Sequence, residues 1–220
     1  MKKSLIALAV AAALVPSLAM AEKGDIVVRL RATQVSPDTK SDLDKYGLHG
    51  VVGAGANLKV DDNTIPEIDF SYYVTKNIAA ELILATGTRH TVTAHTNMGL
   101  GNVDLGKVNL LPPTLLAQWH FNPDQTIDPY VGAGVSYVRA MDNGLTLLDK
   151  PIRIDRNNWG VALQAGVDYN LENKWLLNFD VKKIWVDTTV KYNSDGTGYA
   201  KIDKLDIDPW VVSVGFGKKF

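Results

Sequence analysis

The chain ends on a stretch, residues 209–220, in which large apolar side chains alternate with smaller ones up to the carboxyl terminus. The large residues of one parity are Trp210, Val212, Val214, Phe216 and Phe220, and the opposite parity includes Ser213, Gly215 and Gly217. Because side chains alternate across a β-strand, the pattern predicts a strand with one bulky apolar face. Such a strand suits a closed barrel in a lipid bilayer, since hydrocarbon tolerates no unpaired sheet edge. The alternative is the edge strand of a soluble β-sandwich.

The same alternation recurs along the chain in stretches about as long as the 9 to 11 residues that a tilted membrane strand requires. These stretches cover residues 25–35, 65–74, 78–89, 110–121, 130–139, 159–169 and a segment that begins at Trp175. In the segment that begins at Trp175 the alternation slips near Lys183 and Ile184. The slip predicts a β-bulge at that point.

The amino terminus predicts export from the cell. Lys2 and Lys3 precede an apolar run over residues 5–15 and the sequence Ala-Met-Ala at 19–21, which is typical of a secretory signal peptide. We expect residues 1–21 to be cleaved and residues 22–220 to form one domain. The chain has no cysteine, 23 basic and 24 acidic residues. This balance gives no reason to expect a nucleic-acid partner.

The connections between the predicted strands alternate between long and short. The long links are residues 36–64, 90–109, 140–158 and 191–204, and the short links are residues 75–77, 122–129 and 170–174. Outer-membrane barrels place short turns in the periplasm and long loops outside. The predicted fold is therefore all-β, an eight-stranded antiparallel up-and-down transmembrane β-barrel in the cell outer membrane. It has four long extracellular loops, three short periplasmic turns and an outer surface in contact with lipid.

The inward-facing positions of the predicted strands change character with depth. Near the short turns they are polar or charged, and they comprise Arg29, Glu81, His120, Asp168, Asn178 and Asp180. Near the long loops they are mostly apolar, and they comprise Val35, Ile65, Ala85, Leu116, Val138 and Ala162, with Trp159 at the mouth. An eight-stranded barrel is only just wide enough for its own side chains or one small ligand. We expect an apolar cup open to the outside above a floor closed by a structural network of charges, and a proton relay in the floor is the alternative.

Two consecutive prolines, Pro112 and Pro113, fall inside the fourth predicted strand. Each proline removes a hydrogen-bond donor from the ladder between strands, so strand pairing should fail there. One interpretation is a lateral opening through which an apolar ligand reaches the lipid. The other is a bulge above the hydrocarbon zone.

The histidines form no recognised catalytic or metal-binding motif. His49, His90 and His95 lie in or beside long links, whereas His120 lies with the carboxylates of the floor. No serine is placed with a histidine and a carboxylate in a nucleophile motif. The histidine spacing does not match known zinc sites. We expect a protein that is not an enzyme and that uses no cofactor or metal.

Several sequence blocks resemble the OmpW family of small outer-membrane proteins. They are LPPTLLAQWHF at residues 111–121, PYVGAGVSY at 129–137, VDTT at 186–189 and DPW at 208–210. The resemblance implies an eight-stranded barrel with a narrow hydrophobic channel for small apolar molecules. A surface receptor, an adhesin or a purely structural barrel are the alternative functions. We expect the terminal strand and Phe220 to be recognised by the outer-membrane assembly machinery, although Lys218 stands where an aromatic or apolar residue is usual.

Overall fold

The computed structural model describes residues 22–41, 43, 52–86, 88–97, 99, 101–142, 144–193 and 195–220. The predicted signal peptide, residues 1–21, and His49 lie outside these residues. No helix in the described part of the chain is long and apolar enough to cross a membrane.

The described residues are mostly β-strand, with one short 3-10 turn at Glu172–Lys174. In chain order the strands are β1 (Ile26–Ser36), β2 (Asn57–Val60), β3 (Asn63–Tyr73), β4 (Ile78–Ala85), β5 (Thr88–His95), β6 (Asn102–Leu111), β7 (Thr114–His120), β8 (Ile127–Ala140), β9 (Leu145–Leu147), β10 (Lys150–Ile154), β11 (Asn157–Asn170), β12 (Trp175–Trp185), β13 (Asp187–Tyr192), β14 (Ala200–Asp206) and β15 (Trp210–Lys219).

Eight of these strands form a closed antiparallel ring. The order around the ring is β1, β3, β4, β7, β8, β11, β12 and β15, and β15 pairs again with β1. Closure gives every strand two neighbours, so backbone groups within the bilayer have hydrogen-bond partners. The predicted eight-stranded up-and-down barrel is confirmed.

Side-chain alternation gives the barrel an apolar outer surface. The outward-facing residues between the two ends are aliphatic or aromatic, as at Leu163, which is 49% exposed. Exposed aromatic side chains lie toward the short turns at Trp119, Tyr169, Trp175 and Phe220. We call the outward-facing aromatic residues near the long loops, Tyr137, Trp159, Trp185 and Trp210, the outer girdle. Two aromatic belts on an apolar wall are typical of a bilayer-spanning barrel.

The long loops contain regular structure that the sequence analysis did not predict. β5 and β6 continue the barrel wall above β8, and β2 pairs with β5. A second sheet has the order β14, β13, β10, β9. Both sheets contribute to one apolar cluster that includes Leu58, Val92, Leu105, Leu145 and Leu205. Burial of this cluster supplies the free energy that orders the loops.

The predicted bulge at Lys183 and Ile184 is wrong. The pairing of β11 with β12 runs without a shift to Trp185, and Ile184 is buried inside the barrel. The outward-facing Lys183 keeps its Nζ 2.5 Å from the carbonyl oxygen of Asp208 and 5.0 Å from the centre of the Trp210 ring. At this height the buried residue, Ile184, is apolar and the outward-facing residue, Lys183, is charged, which reverses the pattern found lower on β12. The strand itself continues without a bulge.

The lipid-facing assignment predicts that a charge on the outer wall is costly only at the depth of the bilayer. Leu163→Arg should destabilise the barrel by about 2 to 4 kcal/mol, because an arginine near the bilayer midplane lacks water. Thr93→Arg, on the outward face of β5 above the membrane and opposite Asp104, should cost about 0 to 1 kcal/mol. The measurement is the unfolding free energy in lipid vesicles. Equal losses would contradict the assignment.

Candidate functional site

Two arginines on β1 organise the lower half of the barrel interior. The Nη1 atom of Arg29 lies 2.9 Å from Oδ1 of Asp69 on β3, and its Nη2 lies 2.5 Å from Oδ2 of Asp168 on β11. Nη1 of Arg29 also donates to the Ser71 hydroxyl at 2.8 Å. Because β1 and β11 are not neighbours in the ring, this guanidinium joins strands across the lumen.

A second set of contacts lies above Arg29. Nη2 of Arg31 lies 2.6 Å from Oε1 of Glu67 and 3.1 Å from Oδ2 of Asp69. The ammonium of Lys182 lies 2.5 Å from Oδ1 of Asp180 and 3.5 Å from Oε1 of Glu67. Charged groups from β1, β3 and β12 therefore form one connected network. Its ion pairs are charge-assisted and held from several strands at once.

Two glutamine side chains extend the network to strands on the opposite side of the lumen. Gln118 donates to Gln164 at 3.1 Å, and Gln164 donates to the Glu81 carboxylate at 2.8 Å. We call the connected inward-facing residues the polar layer. Its members, all buried, are Arg29, Arg31, Glu67, Asp69, Glu81, Gln118, Gln164, Asp168, Asn178, Asp180 and Lys182. The predicted floor residues Arg29, Glu81, Asp168, Asn178 and Asp180 all lie in it.

His120, the remaining predicted floor residue, lies beneath the polar layer. Its Nδ1 is 2.7 Å from Oδ2 of Asp128, and its ring centre is 5.0 Å from those of Tyr73 and Tyr130. Ligand atoms of His120, Asp128 and Asp168 lie within 4.8 Å of one another. Two hydrogen bonds from Arg29 already occupy Asp168. Asp168 thus joins this cluster to the polar layer.

An apolar cavity of about 120 Å³ lies above the polar layer. Of the predicted lumen residues, Val35, Ile65, Ala85 and Val138 line it. Leu116 and Ala162 are fully buried in the apolar cluster that also contains Val138. The cavity has a size similar to the roughly 150 Å³ apolar cavity that holds benzene in another protein. It has room for a small hydrophobic molecule.

The loops also bound this cavity, which the sequence analysis had limited to the barrel strands. Leu58 of β2, Leu105 of β6 and Leu145 of β9 are among its lining residues. Polar side chains are few, and Lys182 marks its contact with the polar layer. The apolar cup therefore continues upward between the two loop sheets.

Trp159 does not lie at the mouth of the lumen, and that placement is wrong. Its side chain is 68% exposed on the outer surface. Its ring centre lies 4.9 Å from that of Tyr137. Trp159 shares its outward parity with Leu163 on β11, and the residue that faces inward beside it is Gly160. Trp159 belongs to the outer girdle.

The ladder between strands is interrupted at Pro112 and Pro113, which separate β6 from β7. β7 pairs with β4 up to Thr114 opposite Ile83, and β6 resumes pairing with β5 at Leu110 opposite Thr88. No ladder pair joins the two sides between these points in the described chain. On the other side the Pro113 carbonyl accepts the Tyr137 N–H at 2.9 Å. The interruption therefore lies at the height of the outer girdle, at the upper edge of the lipid-facing wall.

Comparison with known proteins identifies the family. A family model described as the OmpW family matches residues 22–220. The chain belongs to the OmpW family. It is 34% identical over 224 residues to outer membrane protein W of Escherichia coli (strain K12), which covers 100% of this chain and 99% of the relative. The outer membrane location follows from this membership and from the fold.

Two further OmpW-like proteins support the same assignment. The crystal structure of OprG from Pseudomonas aeruginosa matches with a TM-score of 0.78 and 31% identity, over 90% of this chain and 97% of OprG. Outer membrane protein AlkL of Ectopseudomonas oleovorans is 30% identical over 173 residues, or 74% of this chain and 71% of AlkL. The predicted family resemblance is confirmed.

Sequence reasoning left four charged residues of the polar layer out of the predicted floor of this OmpW-family barrel. Arg31, Glu67, Asp69 and Lys182 have inward parity on their strands, and that signal was available. The predicted floor included only the inward-facing residues nearest the short turns, and the charged zone extends farther from those turns than expected. The lining residues of the loops gave no such signal, since their positions depend on how the two loop sheets pack.

The network around Arg29 predicts a large loss of stability in this OmpW-family protein when the cation alone is removed. Arg29→Met should cost about 3 to 5 kcal/mol, because Asp69 and Asp168 would keep buried charges without a partner. Arg156→Met, at an exposed position, is the matched control and should change stability by about 0.5 kcal/mol or less. Urea unfolding in lipid vesicles measures both variants. A loss at Arg29 no larger than that of the control would mean that the ion pairs do not hold the barrel together.

Proposed function

We propose that the protein takes small hydrophobic molecules from the cell exterior into its apolar cavity and releases them sideways into the lipid of the outer membrane. One observation carries this proposal: the cavity ends below on the polar layer, while the wall beside it lacks ladder pairing at Pro112 and Pro113. The axial path is polar and filled. The lateral path leads through the part of the wall that has no ladder pairing.

The energetics favour entry into the cavity and oppose passage along the axis. An apolar molecule gains about 25 cal/mol for each Å² of surface that it removes from water. Passing farther along the axis would separate Arg31 from Glu67 and Lys182 from Asp180, and each buried ion left without its partner costs several kcal/mol. The polar layer thus acts as the lower end of the binding site.

The position of the proline pair supports a lateral exit. Pro112 lines the cavity and is half-buried, so the same residue borders the interior and the outer surface. Prolines have no N–H to donate, and opening the wall here breaks no ladder hydrogen bond to β4 or β5. A molecule that leaves at this height meets Leu111 and Leu115, which are exposed on the outer wall. Lipid acyl chains contact the same surface.

We further propose that the protein is not an enzyme and that its terminal strand carries the signal for membrane assembly. Phe220 is exposed on the outer face and its backbone pairs with Ile26. The ammonium of Lys218 lies 5.2 Å from the centre of the Trp175 ring and 5.8 Å from that of Phe220. This lysine therefore covers apolar surface with its methylene chain. The outward row of the terminal strand keeps its apolar character.

Uptake of a radiolabelled long-chain alkane into cells tests the route with three variants. Val138→Asp should reduce uptake about tenfold or more, because a carboxylate in the apolar cavity retains water or stays unpaired. Pro112→Val with Pro113→Val should slow uptake by restoring ladder donors. Asp168→Asn, in the polar layer, is the control and should leave uptake near the wild-type rate.

Heat-modifiable electrophoretic mobility checks that each variant forms a folded barrel, and rates are compared per folded protein. If the double proline variant took up alkane at the wild-type rate while Asp168→Asn stopped uptake, the route would run down the barrel axis. The proposal of lateral release would then be wrong.

A further inference from the structure

Three basic side chains face outward on adjoining strands just above the outer girdle. They are Arg89 on β5, Lys107 on β6 and Arg139 on β8, and all three are exposed. Their outward direction follows from alternation, since His90, Val108 and Val138 beside them are buried. We call these three residues the basic patch.

Strand register places the three residues close together. Arg89 lies opposite Asn109, and Lys107 lies opposite Thr91, so Arg89 and Lys107 are diagonal neighbours about 7 to 8 Å apart. Arg139 lies opposite Leu111 on the other side of β6. The patch therefore spans three neighbouring strands and about 13 Å along β6, from Lys107 to the level of Arg139, with Arg89 between them.

The height of Arg139, the lowest residue of the patch, corresponds to the headgroup region of the outer leaflet. Arg139 follows Tyr137 of the outer girdle by two positions, which is about 7 Å along the strand. The polar region on each side of a bilayer is about 5 to 8 Å thick. The wall is apolar at Leu111, opposite Arg139, and at Val135, four positions farther down β8.

Within the part of the chain that the structure describes, no side chain of the patch has an ion-pair or hydrogen-bond partner. Two carboxylates lie beside the patch without forming a described ion pair with it, since Asp142 accepts the Asn109 backbone N–H at 3.0 Å and Asp61 accepts that of Thr91 at 2.6 Å. Three cations left together in this way repel one another and favour a shared anionic partner.

Two lysines on the second loop sheet are paired with carboxylates. Nζ of Lys191 lies 2.8 Å from Oδ1 of Asp155, and its hydrogen bond lowers the pKa of that carboxyl. Nζ of Lys204 lies 3.4 Å from Oδ1 of Asp187. These two lysines are neutralised by carboxylates, whereas the three residues of the basic patch are not paired within the described part of the chain.

We propose that the basic patch binds the phosphate groups of a phosphorylated lipid in the outward-facing leaflet of the membrane. The two guanidinium groups suit bidentate contact with phosphate, and the lysine adds a point charge. The acyl chains of the lipid lie along Leu111 and Val135 below. This binding site does not depend on transport.

Lipid retention after mild detergent extraction tests the proposal. Folded protein is equilibrated with phosphatidylcholine vesicles that contain diphosphoryl lipid A, extracted, and examined by native mass spectrometry. Each basic residue beside an anionic lipid strengthens binding roughly fivefold. The variant Arg89→Gln, Lys107→Gln, Arg139→Gln should therefore retain roughly 100-fold less lipid A than the wild type.

A control variant with the same change in net charge is Arg153→Gln, Lys191→Gln, Lys204→Gln, whose positions lie on the second loop sheet. It should retain lipid A as the wild type does, and inorganic phosphate in excess should leave the bound lipid in place. Equal retention by the two triple variants would overturn the proposal. Displacement by inorganic phosphate would also overturn it, because the site would then recognise a free anion and not a lipid.

Discussion

Hydrocarbon offers no hydrogen bonds to the backbone, and closure of the sheet by β15 against β1 is the contact on which this protein depends. This pairing places Arg29 and Arg31 of β1 opposite Gly217 and Gly215 of β15. A Cβ added at Gly215 would lie 2.8 Å from Cγ of Arg31, and one added at Gly217 would lie 2.7 Å from Cγ of Arg29. The glycines of the terminal strand thus make room for the two cations that organise the interior. The pairing of β1 with β15 therefore closes the wall and also positions the two arginines that fill the lower lumen.

The polar layer occupies the lower half of this narrow barrel. The upper half of the lumen is the part available for binding. Ion pairs and hydrogen bonds link the arginines, carboxylates and amides of the polar layer across the lower half. A buried network of this kind is stable only while its members remain paired. Above it the inner face is apolar, and the loop sheets extend that face beyond the membrane. The resulting cavity has an apolar wall and a polar base. In our account, function follows from this division together with the local break in the wall at Pro112 and Pro113.

Strand positions and topology were predictable because membrane strands must alternate, must have a certain length and must be joined by turns on known sides. The charged residues of the floor were predictable from parity alone. The loop sheets were not, since β9 and β10 are short and acquire their order from packing against β13 and β6. Trp159 and Lys183 were misassigned because both face outward near the outer interface of the membrane. In the sequence alone, an aromatic residue at that level resembles one at the mouth of the lumen, and a lysine on the outward parity resembles the change of phase that a bulge produces.

The route of the transported molecule is the central claim, and photo-crosslinking tests it most directly. An alkane that carries a diazirine is added from outside to cells that make the wild-type protein, irradiated during uptake, and its adducts are located by mass spectrometry. Our account predicts adducts at cavity residues such as Val138 and Ile65 and at the interruption, around Leu111 and Pro112. Adducts at Arg29, Tyr73 and His120, below the cavity, would show passage along the axis and would contradict it.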